Sequence, residues 1–412
     1  MSFGTVGAVE ADAIEFVLAL GRALHRYGTP AHRLEEGLLE CCRRLGLAAE
    51  VFTTPTTIIM SFGEPTELRT RMMRVEGGEL DMGKLAQIDA LADAVASQRT
   101  APAAGVRELA AILAAPRQFG RVLSTLSPGV TAGALAVFIG GSLADVAVAA
   151  VIGLSIGVLA QYAQRSTDQA RVFELVGAAF ASFTAGLASS VLYTTTPSIV
   201  TVAALLLLLP GLSLTVAMTE LATRNLMAGT ARLMSAVIVL LELVVGVALG
   251  EKAASALVHV HHAIPVPLPE WSRWIALGAS AIGVAIVAQA QPRAFGWIVA
   301  ACTTGYLGSR LGSAWLGGQL GVMVGAFSLG VLSNVYARRL RRPAQVVAVP
   351  AVLLLVPGSM GFRGMSSLLD RDTLSGVDSV FAMFVVALAI VAGLLIANAV
   401  VSPRRAELLR GG

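Results

Sequence analysis

The sequence predicts a mostly α-helical polytopic membrane protein, with about ten transmembrane helices in two inverted five-helix repeats after a small α+β cytoplasmic domain. The 412 residues are 56% hydrophobic and only 14% charged, whereas a soluble domain is about 25% charged. From Leu126 onward, uncharged runs are long enough to cross a hydrocarbon core, which takes about 20 apolar residues. These runs also fall into two halves that match at a fixed offset.

The charged residues are spread along the chain and form no single patch. The formal net charge is +4, and the basic residues stand between apolar runs, which indicates topology signals and not a nucleic-acid surface. Cys41, Cys42 and Cys302 are the three cysteines, too few for a disulfide framework. No Walker sequence occurs, so nothing indicates direct ATP coupling, and no cofactor is expected.

Residues 1–115 are predicted to form the cytoplasmic α+β domain. Apolar residues recur at helical spacing over 10–44, with Gly28 capping the first of two amphipathic helices. The segment AEVFTTPTTIIMSF and the run TELRTRMMRVEGG predict a β-hairpin or two neighbouring strands. Asp81 is expected to cap the next helix, and 106–115 leads into the membrane.

The apolar region divides into a first membrane half at 116–250, an external loop at 251–272 and a second half at 273–412. The ten predicted spans are 128–144, 146–163, 173–192, 197–219, 232–250, 274–290, 293–309, 313–336, 346–362 and 378–401. Arginines concentrate in the even-numbered loops, and basic loops face the cytoplasm. Both termini are therefore expected on the cytoplasmic side of the bilayer.

An internal repeat relates the two halves. At an offset of 147 residues, the matching pairs are Pro210-Gly211 with Pro357-Gly358, Arg224 with Arg371, Gly229 with Gly376, and Gly246 with Gly393. Five helices per half is an odd number, so the second half starts on the opposite side of the membrane. Inverted halves are typical of secondary transporters, in which rocking between two pseudo-symmetric states gives alternating access.

The strings LLLLLPGLSLT and LLLVPGSMGF place Pro-Gly within or at the end of apolar spans. Proline removes a backbone hydrogen bond, so each span is predicted to break and to expose backbone polar groups. Paired broken helices mark the substrate site of many transporters, and the alternative is a structural kink. The predicted substrate-binding residues are Pro210, Gly211, Ser213, Pro357, Gly358 and Ser359.

Glu242 is the one carboxylate well inside a predicted span, where a charge is costly unless it faces a partner or water. It is therefore the candidate for proton coupling. The alternatives are a packing hydrogen bond or a misplaced helix boundary. Glu220, Asp145 and Glu174 lie at predicted helix ends, where a charge is expected to cost little.

His259, His261 and His262 lie in the external loop. Histidine is a common metal ligand, but no cysteine or fixed carboxylate spacing accompanies these three. A solvated loop explains them, and no metal site is expected.

Several stretches resemble the threonine/serine exporter family. They are YGTPAHRLEEGL, FTTPTTIIMSF and RVEGGELDMGKLAQIDAL before the membrane region, and PGLSLT and PGSMGFRG within it. The resemblance covers nearly the whole chain. It implies export of L-threonine and L-serine across the bacterial inner membrane, driven by the proton motive force.

The family pattern carries over to Gly28, Arg33, Glu35 and Thr56 as an N-terminal signature. Glu35 is either a gate or regulatory contact, or a residue that forms an ion pair with Arg33 or packs against its neighbours.

Two other functions stay open, a membrane-anchored enzyme with a hydrolase-like soluble domain and an uncoupled small-solute channel. His25, His32 and scattered acids in the soluble domain form no recognisable catalytic motif. Close packing of Ala/Gly-rich helices is compatible with a homo-oligomer.

Overall fold

A computed structural model describes residues 3–64, 68–76, 78, 80–261, 263–355, 358–369 and 371–403. Within these residues the chain is mainly helical, with one small sheet near the N-terminus. The predicted mostly helical class with a small α+β unit ahead of apolar helices is confirmed.

The N-terminal unit begins with α1 (Phe3–Arg26) and α2 (Ala31–Arg44). Gly28 has a φ of +77° in the turn between them, a conformation that glycine adopts without strain. Both helices bury an apolar stripe against the sheet and the following helices. The fully buried side chains of these stripes include Phe16, Leu20, Leu34 and Leu38.

The sheet has three antiparallel strands in the order β1 (Ala49–Thr54), β2 (Thr57–Phe62) and β3 (Arg69–Arg74). The sequence-based interpretation of AEVFTTPTTIIMSF as one strand was wrong, because Pro55 and Thr56 form a turn that splits it. Proline cannot donate to a strand ladder, so the chain reverses there. Alternate residues of β2 point into the core of the unit.

Two more helices complete the unit, α3 (Met82–Ala96) and α4 (Pro102–Ala114). Asp81 caps α3 as predicted, since its Oδ1 accepts a hydrogen bond of 2.8 Å from the backbone N–H of Lys84. The Lys84 ammonium group donates to the carbonyl of Leu113 at the end of α4. This contact ties the two helices together.

Thirteen further α-helices and one short 3-10 helix (Pro292–Ala294) follow in the described part of the chain. The α-helices are α5 (Arg121–Ile139), α6 (Leu143–Ala163), α7 (Thr167–Arg171), α8 (Phe173–Val191), α9 (Pro197–Leu205), α10 (Gly211–Ala222), α11 (Leu226–Leu257), α12 (Ser272–Val287), α13 (Phe295–Leu316), α14 (Gly318–Leu340), α15 (Gln345–Leu353), α16 (Gly358–Leu369) and α17 (Thr373–Val400).

Seven segments of the described chain are long and apolar enough to cross a membrane, against ten expected. They are α5, α6, α8, α11, α14, α17 and the segment Gln345–Ser367. The other three predicted spans differ for local reasons. The span at 197–219 is divided into α9 and α10, α12 has only 16 residues, and α13 is long but less apolar.

The boundary between the first two predicted spans differs from the expectation that Asp145 alone separates them. Here α5 ends at Ile139, and Gly140 has a φ of +93°. Ser142 then caps α6, so Asp145 lies inside the first turn of that helix. The serine hydroxyl supplies the helix start that the sequence pattern did not indicate.

The helix breaks recur at equal spacing in the two halves. After α9, residues 206–210 interrupt the helix and α10 begins at Gly211; after α15, the helix ends and α16 begins at Gly358, 147 residues later. Arg224 and Arg371, also 147 residues apart, both have a φ of +65° just after these helices. The helices before the breaks, α9 and α15, therefore have the same length, and so do the helices after them, α10 and α16. Both segments end at an arginine with the same positive φ.

The N-terminal unit docks on the apolar helices through backbone groups. The Met82 and Gly83 N–H groups donate to the carbonyls of Ala288 and Gln289, at 2.8 and 3.1 Å. A Cβ on Gly83 would lie 2.8 Å from the Gln289 oxygen, so a glycine is required for this approach. The start of α3 thus sits on the end of α12.

Candidate functional site

The two helix breaks lie in direct contact. A Cβ built on Gly358 would lie 3.5 Å from the Cα of Gly211 and 3.0 Å from the Cβ of Leu209. Ser213 and Ser359, one or two residues into α10 and α16, are half-buried. Pro357 lies outside the described residues. The structure therefore brings the predicted Gly211 and Gly358 together, at the N-terminal ends of two helices.

A cavity of about 490 Å³ lies beside the α16 side of these breaks. Helices α8, α9 and α11 of the first half and α16 and α17 of the second half surround it. Most of its wall is apolar, and six of the lining residues carry a hydroxyl group: Ser182, Ser198, Thr201, Ser366, Ser367 and Ser379. Phe362, one turn after Gly358, also lines it, whereas the predicted Gly211, Ser213, Gly358 and Ser359 are not among its lining residues.

Two opposite charges, Glu251 of α11 and Arg363 of α16, also line this cavity. Both residues are exposed to it or to solvent. The predicted span at 346–362 ends just before Arg363, but α16 continues past this residue to Leu369. A charged arginine is costly in a helix that faces lipid, whereas a helix that lines a polar cavity can carry one. The Glu251 carboxylate can accept hydrogen bonds from a cationic group of a bound molecule, and the Arg363 guanidinium can donate them to an anionic group.

Glu242 lies apart from this cavity, half-buried on α11 where that helix packs closely on α8. A Cβ on Gly246 would lie 2.4 Å from the Leu175 carbonyl oxygen, which shows how near the two backbones approach. Glu174, at the start of α8, is close enough to interact electrostatically with Glu242. The structure therefore places Glu242 at the close α8–α11 contact, apart from the two helix breaks.

Glu220 has an environment that the sequence did not indicate. Its side chain is 0% exposed and forms an ion pair with Arg232, with the Arg232 Nε 3.0 Å from Glu220 Oε2 and Nη2 3.1 Å from Oε1. The Ala31 backbone N–H, at the start of α2, also donates to Oε1 at 3.1 Å. The expectation that charge costs little here was wrong, because the N-terminal unit covers this end of α10.

Buried polar groups surround this ion pair. His25 and Thr29 are 7% and 8% exposed, and the His25 Nδ1 and Thr29 Oγ1 have no hydrogen-bond partner among the described residues. The His25 Nε2 lies 3.2 Å from the Thr54 carbonyl oxygen. Burial lowers the pKa of His25, and burial together with the Arg33 charge lowers the pKa of His32 to about 4. Both histidines also interact with the Glu220 charge.

Asp145 likewise is fully buried, contrary to the expectation for a helix end. Its Oδ2 accepts from the backbone N–H and the hydroxyl of Ser142, at 2.8 and 2.9 Å. Its Oδ1 accepts from the Thr196 N–H at 2.6 Å. The carboxylate thus joins the start of α6 to the start of α9, ahead of the first break.

The remaining N-terminal signature residues lie around α2 and β1. Glu35 Oε1 accepts from the N–H and the hydroxyl of Thr53, at 2.7 and 2.9 Å, which ties α2 to β1. Thr56 is exposed in the β1–β2 turn, and its carbonyl accepts from the Val75 N–H. Gly28 and Arg33 flank the turn that reaches Glu220. The signature therefore builds the part of the unit that contacts the membrane helices.

The loop histidines pack against aromatic and polar neighbours. His261 lies with its ring centroid 4.8 Å from that of Tyr193 and 5.1 Å from that of His259. Its backbone N–H donates to the Ser189 hydroxyl. His262 lies outside the described residues. Within the described chain, no group of three His, Cys, Asp or Glu side chains is placed to hold a metal ion.

Comparison with protein families covers nearly the whole chain. A family model described as "Putative threonine/serine exporter" matches residues 15–254. A second, described as "Threonine/Serine exporter, ThrE", matches residues 274–400. The two matches correspond to the two groups of helices, with the N-terminal unit included in the first.

Fungal proteins are among the similar sequences. An uncharacterised protein of Schizosaccharomyces pombe is 27% identical over 363 residues, which are 85% of this chain and 48% of that protein. The pheromone-regulated membrane protein 10 of Saccharomyces cerevisiae is 28% identical over 369 residues, 86% of this chain and 47% of that protein. The chain thus spans about half the length of these relatives. No solved structure matches it.

Proposed function

Because the chain belongs to the threonine/serine exporter family, we propose that it is a secondary transporter that exports L-threonine and L-serine by alternating access. The observation that carries this proposal is the contact of the two helix breaks, Gly211 against Gly358, beside a cavity with opposite charges. The N-terminal ends of α10 and α16 carry partial positive charge. Their convergence favours a carboxylate at the breaks.

The cavity suits a small zwitterion with a hydroxyl group. Arg363 can bind a carboxylate through two donors, and Glu251 can accept from an ammonium group. The surrounding serine and threonine hydroxyls can exchange hydrogen bonds with the substrate hydroxyl. In this proposal the cavity is the exit side of the pathway, and the breaks lie at its inner end.

The equal spacing of the two broken segments supports an inverted repeat. Each half is proposed to contain five elements, with the break in the fourth, so that the two breaks enter the membrane from opposite sides. With the arginine-rich loops on the cytoplasmic side, both termini are proposed to lie in the cytoplasm, and the proposed location is the bacterial inner membrane. Rocking of one half against the other then opens the breaks to each side in turn.

Proton coupling is proposed to involve Glu242. Its position within the long apolar helix α11 supports this role, because a carboxylate in a membrane span is costly unless it faces a partner or water. A channel would need no such group, and its flux would follow the substrate gradient alone.

The enzyme alternative has less support. A groove of about 600 Å³ on the N-terminal unit is lined by α1, the α2–β1 loop and the α3–α4 loop. Glu10 is the one titratable side chain in its described lining. A hydrolase needs a nucleophile with a base or a pair of carboxylates, and this lining offers neither.

The test is saturable counterflow of labelled L-threonine in proteoliposomes, with wild type beside Glu251→Gln and Arg363→Gln. Each variant loses a charge-assisted contact with the substrate, so the half-saturation concentration should rise at least about tenfold. Lys252→Gln is the matched control, because it removes a neighbouring exposed charge that does not line the cavity. Unchanged half-saturation in both cavity variants would contradict the proposed site.

A further inference from the structure

The internal repeat relates the Glu220–Arg232 ion pair to the cavity. Residues 147 positions later are Ser367 and Ser379, and both line the 490 Å³ cavity between the two halves. The ion pair therefore occupies, on the α10 side of the breaks, the position that corresponds to the cavity on the α16 side. The Ser367–Ser379 position lines an open cavity, whereas Glu220 is buried beneath the N-terminal unit.

The N-terminal unit covers the α10 position. The Ala31 N–H, the first of α2, binds Glu220, and α3 contacts α15 of the other half. The Arg342 guanidinium donates to the Ala86 carbonyl, which holds α3 over this side. The unit therefore bridges the two halves at the side opposite to the cavity.

The covered position retains the chemistry of an amino-acid site. Glu220 is an acceptor for a cationic donor, and it binds the N-terminal end of a helix, whose N–H groups carry partial positive charge. Arg232 is a donor for a carboxylate. His25 Nδ1 and Thr29 Oγ1 are polar atoms of side chains more than nine-tenths buried, and they have no described partner. Such atoms are costly to bury unless another state or a ligand satisfies them.

We propose that Glu220 and Arg232 form the substrate-entry site on the cytoplasmic side, and that the α1–α2 turn of the N-terminal unit closes this site. In the closed state, the Ala31 N–H occupies the place on Glu220 that the ammonium group of an α-amino acid takes when the unit moves away. Arg232 then binds the carboxylate, and Thr29 and His25 are released to water. The proposal rests on the proposed export function and gives the N-terminal unit the role of a gate.

The test measures L-threonine half-saturation separately at each face, in inside-out and right-side-out vesicles containing the full chain. Glu220→Gln should raise the cytoplasmic value at least about tenfold and leave the external value within about twofold. Ala31→Pro removes the competing N–H at the first helical position, where proline is tolerated, and should lower the cytoplasmic value. The exposed Glu36 of α2 provides the control, Glu36→Gln, which should change neither value.

An equal change at both faces in Glu220→Gln, or no change, would overturn the gate. If Glu220→Gln is not recovered folded, Ala31→Pro decides, since an unchanged or raised cytoplasmic value overturns the proposal. These results leave export intact as long as wild type shows saturable flux. Absence of saturable flux in folded wild type would instead overturn the export function, and the gate with it.

Discussion

Gly358 packs against Gly211 so closely that a Cβ on Gly358 would lie 3.5 Å from the Gly211 Cα. The two glycines are 147 residues apart, and each begins the helix that follows a break. A Cβ on Gly358 would also lie 3.0 Å from the Leu209 Cβ, so a side chain at this position would press on the first break. The geometry of the central site therefore depends on the absence of side chains here.

Enlarging Gly358 should reduce transport in steps. Gly358→Ala brings a methyl group to 3.0 Å from Leu209 Cβ, so we expect a partial loss of L-threonine counterflow. Gly358→Val should reduce the rate by about tenfold or more, because overpacking of this kind costs about 1–3 kcal/mol. Gly278→Val in α12 is the control, since no atom lies within 4 Å of a Cβ there. Equal rates for Gly358→Val and the control would contradict the close-contact interpretation.

Removing both members of the Glu220–Arg232 ion pair should destabilise the protein by less than the two single removals added together. Arg232→Ala leaves a fully buried carboxylate, which is expected to cost about 3–5 kcal/mol of unfolding free energy. In the double variant Glu220→Ala with Arg232→Ala, no buried charge is left without its partner, so its loss should be less than the sum of the single losses. Thermal unfolding of the purified full chain in detergent measures the three variants. Strict additivity would mean that the pair is not coupled.

Asp145 should contribute measurably to stability. Asp145→Ala leaves the N–H groups of Ser142 and Thr196 without their acceptor, and each lost bond to a charged group is worth about 1.5–3 kcal/mol. Asp145→Asn keeps one acceptor oxygen, so its loss should be smaller. Asp168→Ala, which removes an exposed pair with Arg171, should cost less than about 1 kcal/mol. A similar unfolding temperature for Asp145→Ala and Asp168→Ala would contradict this role.

The protein should lose folding stability in acid because of His32. Burial and the Arg33 charge lower the pKa of His32 from 6.5 to about 4, although Glu220 opposes this shift. Between these values the unfolded state binds a proton that the folded state does not, so stability falls as the pH decreases from about 6.5 to about 4. The slope is at most about 1.4 kcal/mol per pH unit for this histidine. Above pH 6.5 its contribution is constant.

Thermal unfolding of the full chain between pH 4.5 and 7.5 checks this dependence. His32→Gln should flatten part of the slope, and the remaining part is assigned to His25, whose pKa is also lowered by burial. A slope in wild type that His32→Gln leaves entirely unchanged would show that this histidine does not titrate between the two states.

The breaks were predictable because their cause is local. Proline followed by glycine interrupts a helix whatever surrounds it, and the equal spacing of Pro210 and Pro357 indicated a repeat. The repeat placed Gly211 and Gly358 among the predicted substrate-binding residues, but their direct contact was not predicted. Gly28 and Asp81 were predictable for the same reason, since a glycine turn and a helix cap depend on neighbouring residues only.

The charged sites were not predictable from local patterns. Glu220 is 189 residues from its partner Ala31, and no helical spacing indicates that the N-terminal unit covers it. Arg363 lies inside a helix because that helix lines a cavity, which a hydropathy pattern does not reveal. One signal was present in the sequence: Glu220 and Arg232 are charged where their repeat counterparts, Ser367 and Ser379, are not.

Counterflow of labelled L-threonine in proteoliposomes, with wild type beside Glu242→Gln and with or without an imposed pH gradient, separates a proton-coupled exporter from an uncoupled channel. Wild type should exchange L-threonine saturably and accumulate it when the gradient is imposed. Glu242→Gln should retain exchange and lose the gradient-driven accumulation. No saturable L-threonine or L-serine flux from folded, inserted wild-type protein would contradict the export function.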